Sequence, residues 1–244
     1  GYGFIYNAAI LNKAGINPDE ITSYAKLEEA VKKLDAKKAE LGLEAVFAVA
    51  GKETWVTGLH FTNAALSPEF ENVFNAFNAK KIDFKYSEGM KKLFDLQINY
   101  AKKPVNSVDY STQVEKLFSL GKVAFMQQGN WTLGAIKGID EELAANIGFL
   151  PMPIVGAKED SIPVGIPMYW TVNSTKDEKT QAAAKAFLNW MYTSEKGKDA
   201  IINKFGFIPP FKGFDSPDLQ PKDALAKDIM KYASAGKTIQ WVFM

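Results

Sequence analysis

The chain has 244 residues, with Lys+Arg 29 against Asp+Glu 28, one histidine and no cysteine. The charge balance leaves no global field for nucleic acid or an anionic membrane, and the absence of cysteine excludes disulfides, thiolate catalysis and Cys-ligated zinc. A poly-His metal site is impossible with His60 alone, no apolar run reaches transmembrane length, and 47% hydrophobic against 23% charged residues argues against disorder.

Residues 1–6 alternate aromatics, with Tyr2, Phe4 and Tyr6 on one side, and predict a strand. Residues 7–14 predict a short helix stopped by Gly15. Thr22 or Ser23 is placed to cap a helix over 24–41 whose inward stripe is Leu27, Ala30, Val31 and Leu34. Its Lys32, Lys33, Lys37 and Lys38 read as a solvated face. Residues 45–50, AVFAVA, are continuously apolar, as in a strand of an α/β sheet covered on both faces.

Ligands of open α/β sheets sit at the carboxyl ends of strands. Glu53 and Trp55, just after this strand, are therefore candidates: a carboxylate to grip paired hydroxyls and a ring to stack on a sugar face. A helix-capping Glu and a packing Trp are the alternative. His60 follows on an apolar helix, where a lone histidine reads as a hydrogen-bonded core residue. The spacing of Phe70, Phe74 and Phe77 predicts a core stripe, and amphipathic helices are predicted over 90–101 and 112–120.

Residues 122–137, KVAFMQQGNWTLGAIK, are the most informative stretch. The run 123–126 predicts a buried strand, Gln127 and Gln128 turn polar, and Gly129 breaks the strand. Asn130 is a good N-cap for a helix opened by Trp131. Side-chain amides donate and accept at once, and an indole offers an apolar face beside a polar N–H. These types suit a neutral, hydroxyl-rich ligand, with a core Trp closing a helix start as the equal alternative.

A helix over 141–145 and a strand over 147–150 follow. In 161–173, Pro163 and Pro167 limit ladder pairing, which suits a crossover, and Met168, Tyr169 and Trp170 form an exposed-type aromatic cluster. A long helix over 179–204 carries Ala183, Phe187, Trp190, Met191 and Ser194 on one stripe, with Trp190 expected in the core. A helix over 224–235 points Leu225, Ile229, Tyr232 and Ala233 inward, and an apolar run, 239–244, contains Trp241. No nucleotide, Walker, serine-hydrolase or zincin motif is present. The scattered acids select no carboxylate pair for glycoside hydrolysis.

Four stretches resemble the family 1 extracellular solute-binding proteins of bacterial ABC transporters, the maltose-binding-like class. They are Phe4-Ile5-Tyr6-Asn7 with Ala14-Gly15-Ile16; residues 22–30; GKVAFMQQGNW over 121–131, the most specific; and 164–173 with 182–197. The resemblance implies an α/β, periplasmic-binding-protein-like two-lobe (Venus-flytrap) fold with an incomplete N-terminal lobe. Residues 1–6 would be an inter-lobe strand and 7–163 the C-terminal lobe. Residues 164–213 would be the crossover and returning part of the N-terminal lobe, and 214–244 a helix and segment returning toward the C-terminal lobe.

The implied ligand is a sugar or oligosaccharide, held without catalysis, cofactor, metal or nucleic acid. The expected site comprises Trp131, Trp55, Glu53, Asn130, Gln128, Gln127, Tyr169, Trp170, Met168 and Trp241. The implied partners are an ABC permease in the membrane and an N-terminal lobe segment from the same protein or a second chain. The implied location is extracytoplasmic, in the periplasm or lipid-anchored at the outer face of the cell membrane. The alternatives are a carbohydrate-active hydrolase, or a binding protein for another small solute such as a polyamine or peptide.

Overall fold

The computed structural model describes every residue except Pro167, Met168, Pro210, Asp215, Phe243 and Met244. The chain divides into two units, Gly1–Gly165 with Asp228–Met244, and Ile166–Lys227.

The first unit is built on a four-stranded mixed sheet of β1 (Tyr2–Asn7), β2 (Phe47–Ala48), β3 (Phe125–Gly129) and β4 (Ile147–Leu150), ordered β2-β3-β1-β4. Residues 1–6, read as an inter-lobe strand, thus lie almost wholly in β1, between β3 and β4. β1 runs antiparallel to both neighbours, and β2 runs parallel to β3. All six residues of 45–50 are buried, but only Phe47 and Ala48 pair as a strand. So short a ladder needs other support. Phe4, Phe47 and Phe125, one from each of three adjacent strands, are fully buried with ring centroids 5.4, 5.4 and 6.5 Å apart. Burying each such side chain contributes about 1.5–3 kcal/mol.

Asn7 ends β1 and caps α1 (Ala8–Ala14) by accepting from the Ile10 N–H, and Gly15 closes that helix in the left-handed region at φ 67°. Ser23 caps α2 (Tyr24–Ala36), which buries the predicted stripe of Leu27, Ala30, Val31 and Leu34 but ends before residue 41. After β2 come a π-helical turn, Trp55–Phe61, then α3 (Thr62–Phe70), α4 (Val73–Asn78), α5 (Ser87–Asn99) and a second π-helical turn, Thr112–Phe118. After β3 come a 3-10 turn, Asn130–Thr132, α6 (Leu133–Ile139) and α7 (Glu141–Ala145). A separate parallel pair joins β5 (Ile162–Val164) to β6 (Thr238–Gln240).

The expected core stripe of Phe70, Phe74 and Phe77 is corrected. Glu71, at φ 65°, breaks the helix, and Asn72 starts a new one by accepting from the Asn75 N–H. The break turns Ala76 inward beside Phe70 and Val242, leaving Phe74 and Phe77 exposed at 76% and 85%.

The second unit holds α8 (Glu178–Thr193) and α9 (Glu195–Asp199), and α10 (Ala224–Ser234) begins in it. The single helix expected over 179–204 is interrupted at Ser194. Its backbone is extended and its hydroxyl accepts from the Gly197 N–H at 3.0 Å. Trp190 is not core: it is exposed and stacks on Phe187 at 5.8 Å. Met191 alone on α8 is buried, in a small cluster with Ile201, Ile202 and Phe214. Ala233 on α10 is likewise exposed rather than inward.

Gly3 lies where β1 meets β4. A Cβ there would stand 2.3 Å from the Leu150 carbonyl oxygen and 2.8 Å from the Phe149 ring. Gly3→Ala is expected to cost about 1–3 kcal/mol, the usual penalty of overpacking, read as a lower denaturant midpoint at unchanged slope.

Candidate ligand-binding site

Because β2 and β3 are parallel, their carboxyl ends share one edge of the sheet. Antiparallel β1 begins at that edge, with Tyr2 opposite Gly129. Asn130 extends this pairing by one step. Its Oδ1 accepts from the Gly1 nitrogen at 3.0 Å, and its N–H donates to the Gly1 carbonyl at 3.3 Å. The edge thus receives Tyr2 at the start of β1, Trp131 just past β3 and Trp55 a few residues past β2.

Trp241, from just after β6, completes an aromatic group around His60. The imidazole centroid lies 4.4 Å from Tyr2, 4.7 Å from Trp241, and 5.4 Å from both Trp55 and Trp131. Trp55 and Trp131 lie 6.3 Å apart, Tyr2 and Trp131 stack at 5.8 Å, and Tyr110 tilts against Trp55 at 6.0 Å. The group is layered by exposure. Tyr2, His60 and Trp241 form a buried floor; Trp55 and Tyr110 are half-buried; Trp131 is 41% exposed. Gly129 is required here, since a Cβ would fall 2.1 Å from the Trp131 ring that folds back over it.

The polar groups hold this arrangement. Glu53 accepts from the Trp55 indole N–H at 3.0 Å and from the Tyr110 backbone N–H at 3.2 Å. Gln127 Nε2 donates to the Tyr2 hydroxyl at 2.7 Å and to the Val56 carbonyl at 3.2 Å. Gln128 Nε2 donates to Gln113 Oε1 at 2.8 Å, and Gln113 in turn donates to the Ala48 carbonyl at 2.8 Å. His60 Nδ1 lies 2.8 Å from the Trp55 carbonyl, which can only accept, so Nδ1 carries the proton. Burial drives the Tyr2 phenol far above its ordinary range, and burial likewise holds His60 below the usual imidazole value, against the opposing pull of the Trp55 carbonyl.

The other expected site residues of this unit have partners within the protein. Gln127 and Gln128 are buried and spend their amides on the frame beneath the rings, because β3 runs on to Gly129 instead of ending at residue 126. Asn130 pairs with Gly1 rather than capping a helix, and the Thr132 hydroxyl donates to the Gly129 carbonyl at 3.0 Å. Trp241 is a floor residue, 6% exposed and packed over Gly165.

Tyr169 and Trp170 belong to the second unit, where both are exposed and the Trp170 indole donates to the Tyr192 hydroxyl at 2.6 Å. Met168 lies outside the described residues. Tyr2 and Tyr110 were not among the expected site residues. Tyr2 joins the group only through its register with Gly129, which alternation alone does not reveal. Among the described residues, no cluster of acids and histidine is arranged to hold a metal ion, and no helix is long and apolar enough to cross a membrane.

A family model for the bacterial extracellular solute-binding proteins matches residues 1–198. Comparison with curated proteins by sequence finds no match. Among solved structures, a chitin oligosaccharide binding protein is similar at 20% identity and a TM-score of 0.70, over 98% of this chain and 58% of that one. The apo form of RafE from Streptococcus pneumoniae is similar at 20% identity and a TM-score of 0.69, over 98% and 60%. A manno-oligosaccharide specific solute binding protein from Bifidobacterium animalis subsp. lactis, in complex with mannotriose, is similar at 23% identity and a TM-score of 0.62, over 99% and 54%. These likenesses establish the α/β solute-binding fold. The present chain spans less than two thirds of the length of each.

His60 also yields a pH dependence. An unfolded chain takes up a proton near the ordinary imidazole value of about 6.5, which the folded chain resists. The folded state therefore loses stability as pH falls through that value toward the lower folded one, and this component is absent above it. Denaturant titrations at about pH 7.5 and about pH 5.5 should show a smaller drop in unfolding free energy for His60→Phe than for the wild type.

Proposed function

The chain belongs to the bacterial extracellular solute-binding protein family, and from that premise we propose that it binds a neutral sugar or oligosaccharide on the open faces of Trp131 and Trp55. The observation that carries this reading is the layered aromatic group at the strand-end edge. Two neighbouring indoles, 6.3 Å apart, lie over a buried aromatic floor, with Glu53 and Asn130 beside them. The apolar C–H faces of a sugar stack on such rings, and its hydroxyls meet the carboxylate and the amide at the rim.

Chitin oligosaccharide and mannotriose, named for two of the similar proteins, and raffinose, bound in a RafE complex that is similar at 18% identity and a TM-score of 0.65, are of the chemistry this platform suits. Glu53 uses both carboxylate oxygens to hold Trp55 and Tyr110. That arrangement favours holding a ligand over cleaving one. Selectivity follows from hydrogen bonding: an epimer that leaves a buried polar group unpaired loses about 1–3 kcal/mol.

In this reading the unit Gly1–Gly165 with Asp228–Met244 is the C-terminal lobe, and Ile166–Lys227 is the returning part of the other. Ligand shifts an open–closed equilibrium of the two-lobe fold. The closed form then delivers its cargo outside the cytoplasm to an ABC permease in the membrane.

Calorimetric titration with raffinose, mannotriose and chitotriose tests the reading. At least one should bind, and Trp131→Ala should weaken that binding by about 2 kcal/mol, roughly 30-fold, the scale of one aromatic face lost to water. Unchanged binding in the variant would remove Trp131 from the site.

A further inference from the structure

Trp55 is held at three points. Its indole N–H donates to Glu53, its carbonyl accepts from His60 Nδ1, and its ring lies edge-on to the same imidazole at 76°. That imidazole also stands at 70° to Trp131 and 82° to Trp241, and packs on Tyr2. One side chain therefore touches both open rings and both aromatic rings of the floor.

The π-helical turn Trp55–Phe61 makes this possible. Its five-residue hydrogen-bond spacing brings His60 back onto the Trp55 carbonyl. The Val56 carbonyl, one residue on in the same turn, accepts from the Tyr2 hydroxyl and the Gln127 amide, at 3.3 and 3.2 Å. The wide turn thus serves two ends. It sets His60 over Trp55, and it anchors the floor tyrosine and the β3 frame to the same segment. Single wide turns of this kind are unfavourable in a helix and recur at functional sites.

We propose that His60 is the positioning residue of the ligand platform: its ring spaces Trp55 against Trp131, and its Nδ1–H fixes the Trp55 backbone before ligand arrives. The ligand arm of the test rests on the saccharide reading; the geometry does not. An ordering cost met in advance is not charged against binding. Losing His60 should therefore weaken affinity although the imidazole touches no ligand.

Two variants each remove one part. His60→Phe keeps a ring without the donor, and His60→Asn keeps a donor near Nδ1 without the ring. The ligand-independent readout is the near-ultraviolet circular dichroism of Trp55, taken as the difference between each protein and its Trp55→Phe partner. That difference should be strong in the wild type and lost in both variants, with far-ultraviolet spectra unchanged. Affinity for whichever of raffinose, mannotriose or chitotriose binds should fall about tenfold in each.

Persistence of the Trp55 signal in both variants overturns the proposal. So does affinity within about a factor of two of wild type. If His60→Phe fails to fold, His60→Asn carries both measurements. If the wild type binds none of the three trisaccharides, the saccharide reading fails, and the circular dichroism still decides the role of His60.

Discussion

The antiparallel register of β1 on β3 is the constraint on which the site depends. Tyr2 stands opposite Gly129, so the first aromatic of the chain lies beneath the indole two residues past the end of β3. A slip of one residue would turn every side chain of β1 to the other face of the sheet. Phe4 would leave the Phe47 and Phe125 rings, and Tyr2 would leave His60 and Gln127. Core and site therefore enforce the same register. Gly3, against the Leu150 carbonyl, and Gly129, under Trp131, are two points where backbone must come close for it to hold.

Around that register the side chains divide their work. The amides Gln113, Gln127 and Gln128 are buried and bond to strand ends, to the π-helical turn and to one another. Buried polar groups cost heavily when unpaired and rigidify a structure when connected. Of the rings above them, Trp131 is exposed and Trp55 half-buried. Glu53 joins the two layers: it is polar chemistry near the rim, but its hydrogen bonds orient Trp55 and the backbone at Tyr110. A surface fixed in this way can meet a flat, hydroxylated ligand without first being ordered.

Local chemistry made much of the fold legible. The α2 stripe, the Gly15 stop, the helix over 141–145 and the strand over 147–150 follow from periodicity and capping, which act within a few residues. What periodicity lacks is information on whether an apolar face is covered. Phe74, Phe77, Phe187 and Trp190 have core spacing and stand exposed, because helix breaks at Glu71 and Ser194 and the surrounding elements decide coverage. At the strand-end edge, the placement of Trp131 and Trp55 was legible because each follows a strand by only a few residues. Gln127 and Gln128 lie buried in the frame because pairing with β1 carries β3 past its apolar run, a non-local effect. The hub at His60 depends on a wide helical turn, which no residue type announces.

The direct test of stacking is proton NMR of raffinose or mannotriose with the protein added. If the saccharide lies on the open indole faces, its ring C–H protons move upfield in the ring current of Trp131 and Trp55, and the shift from Trp131 disappears in Trp131→Ala. Bound saccharide whose C–H protons do not move upfield would contradict the account.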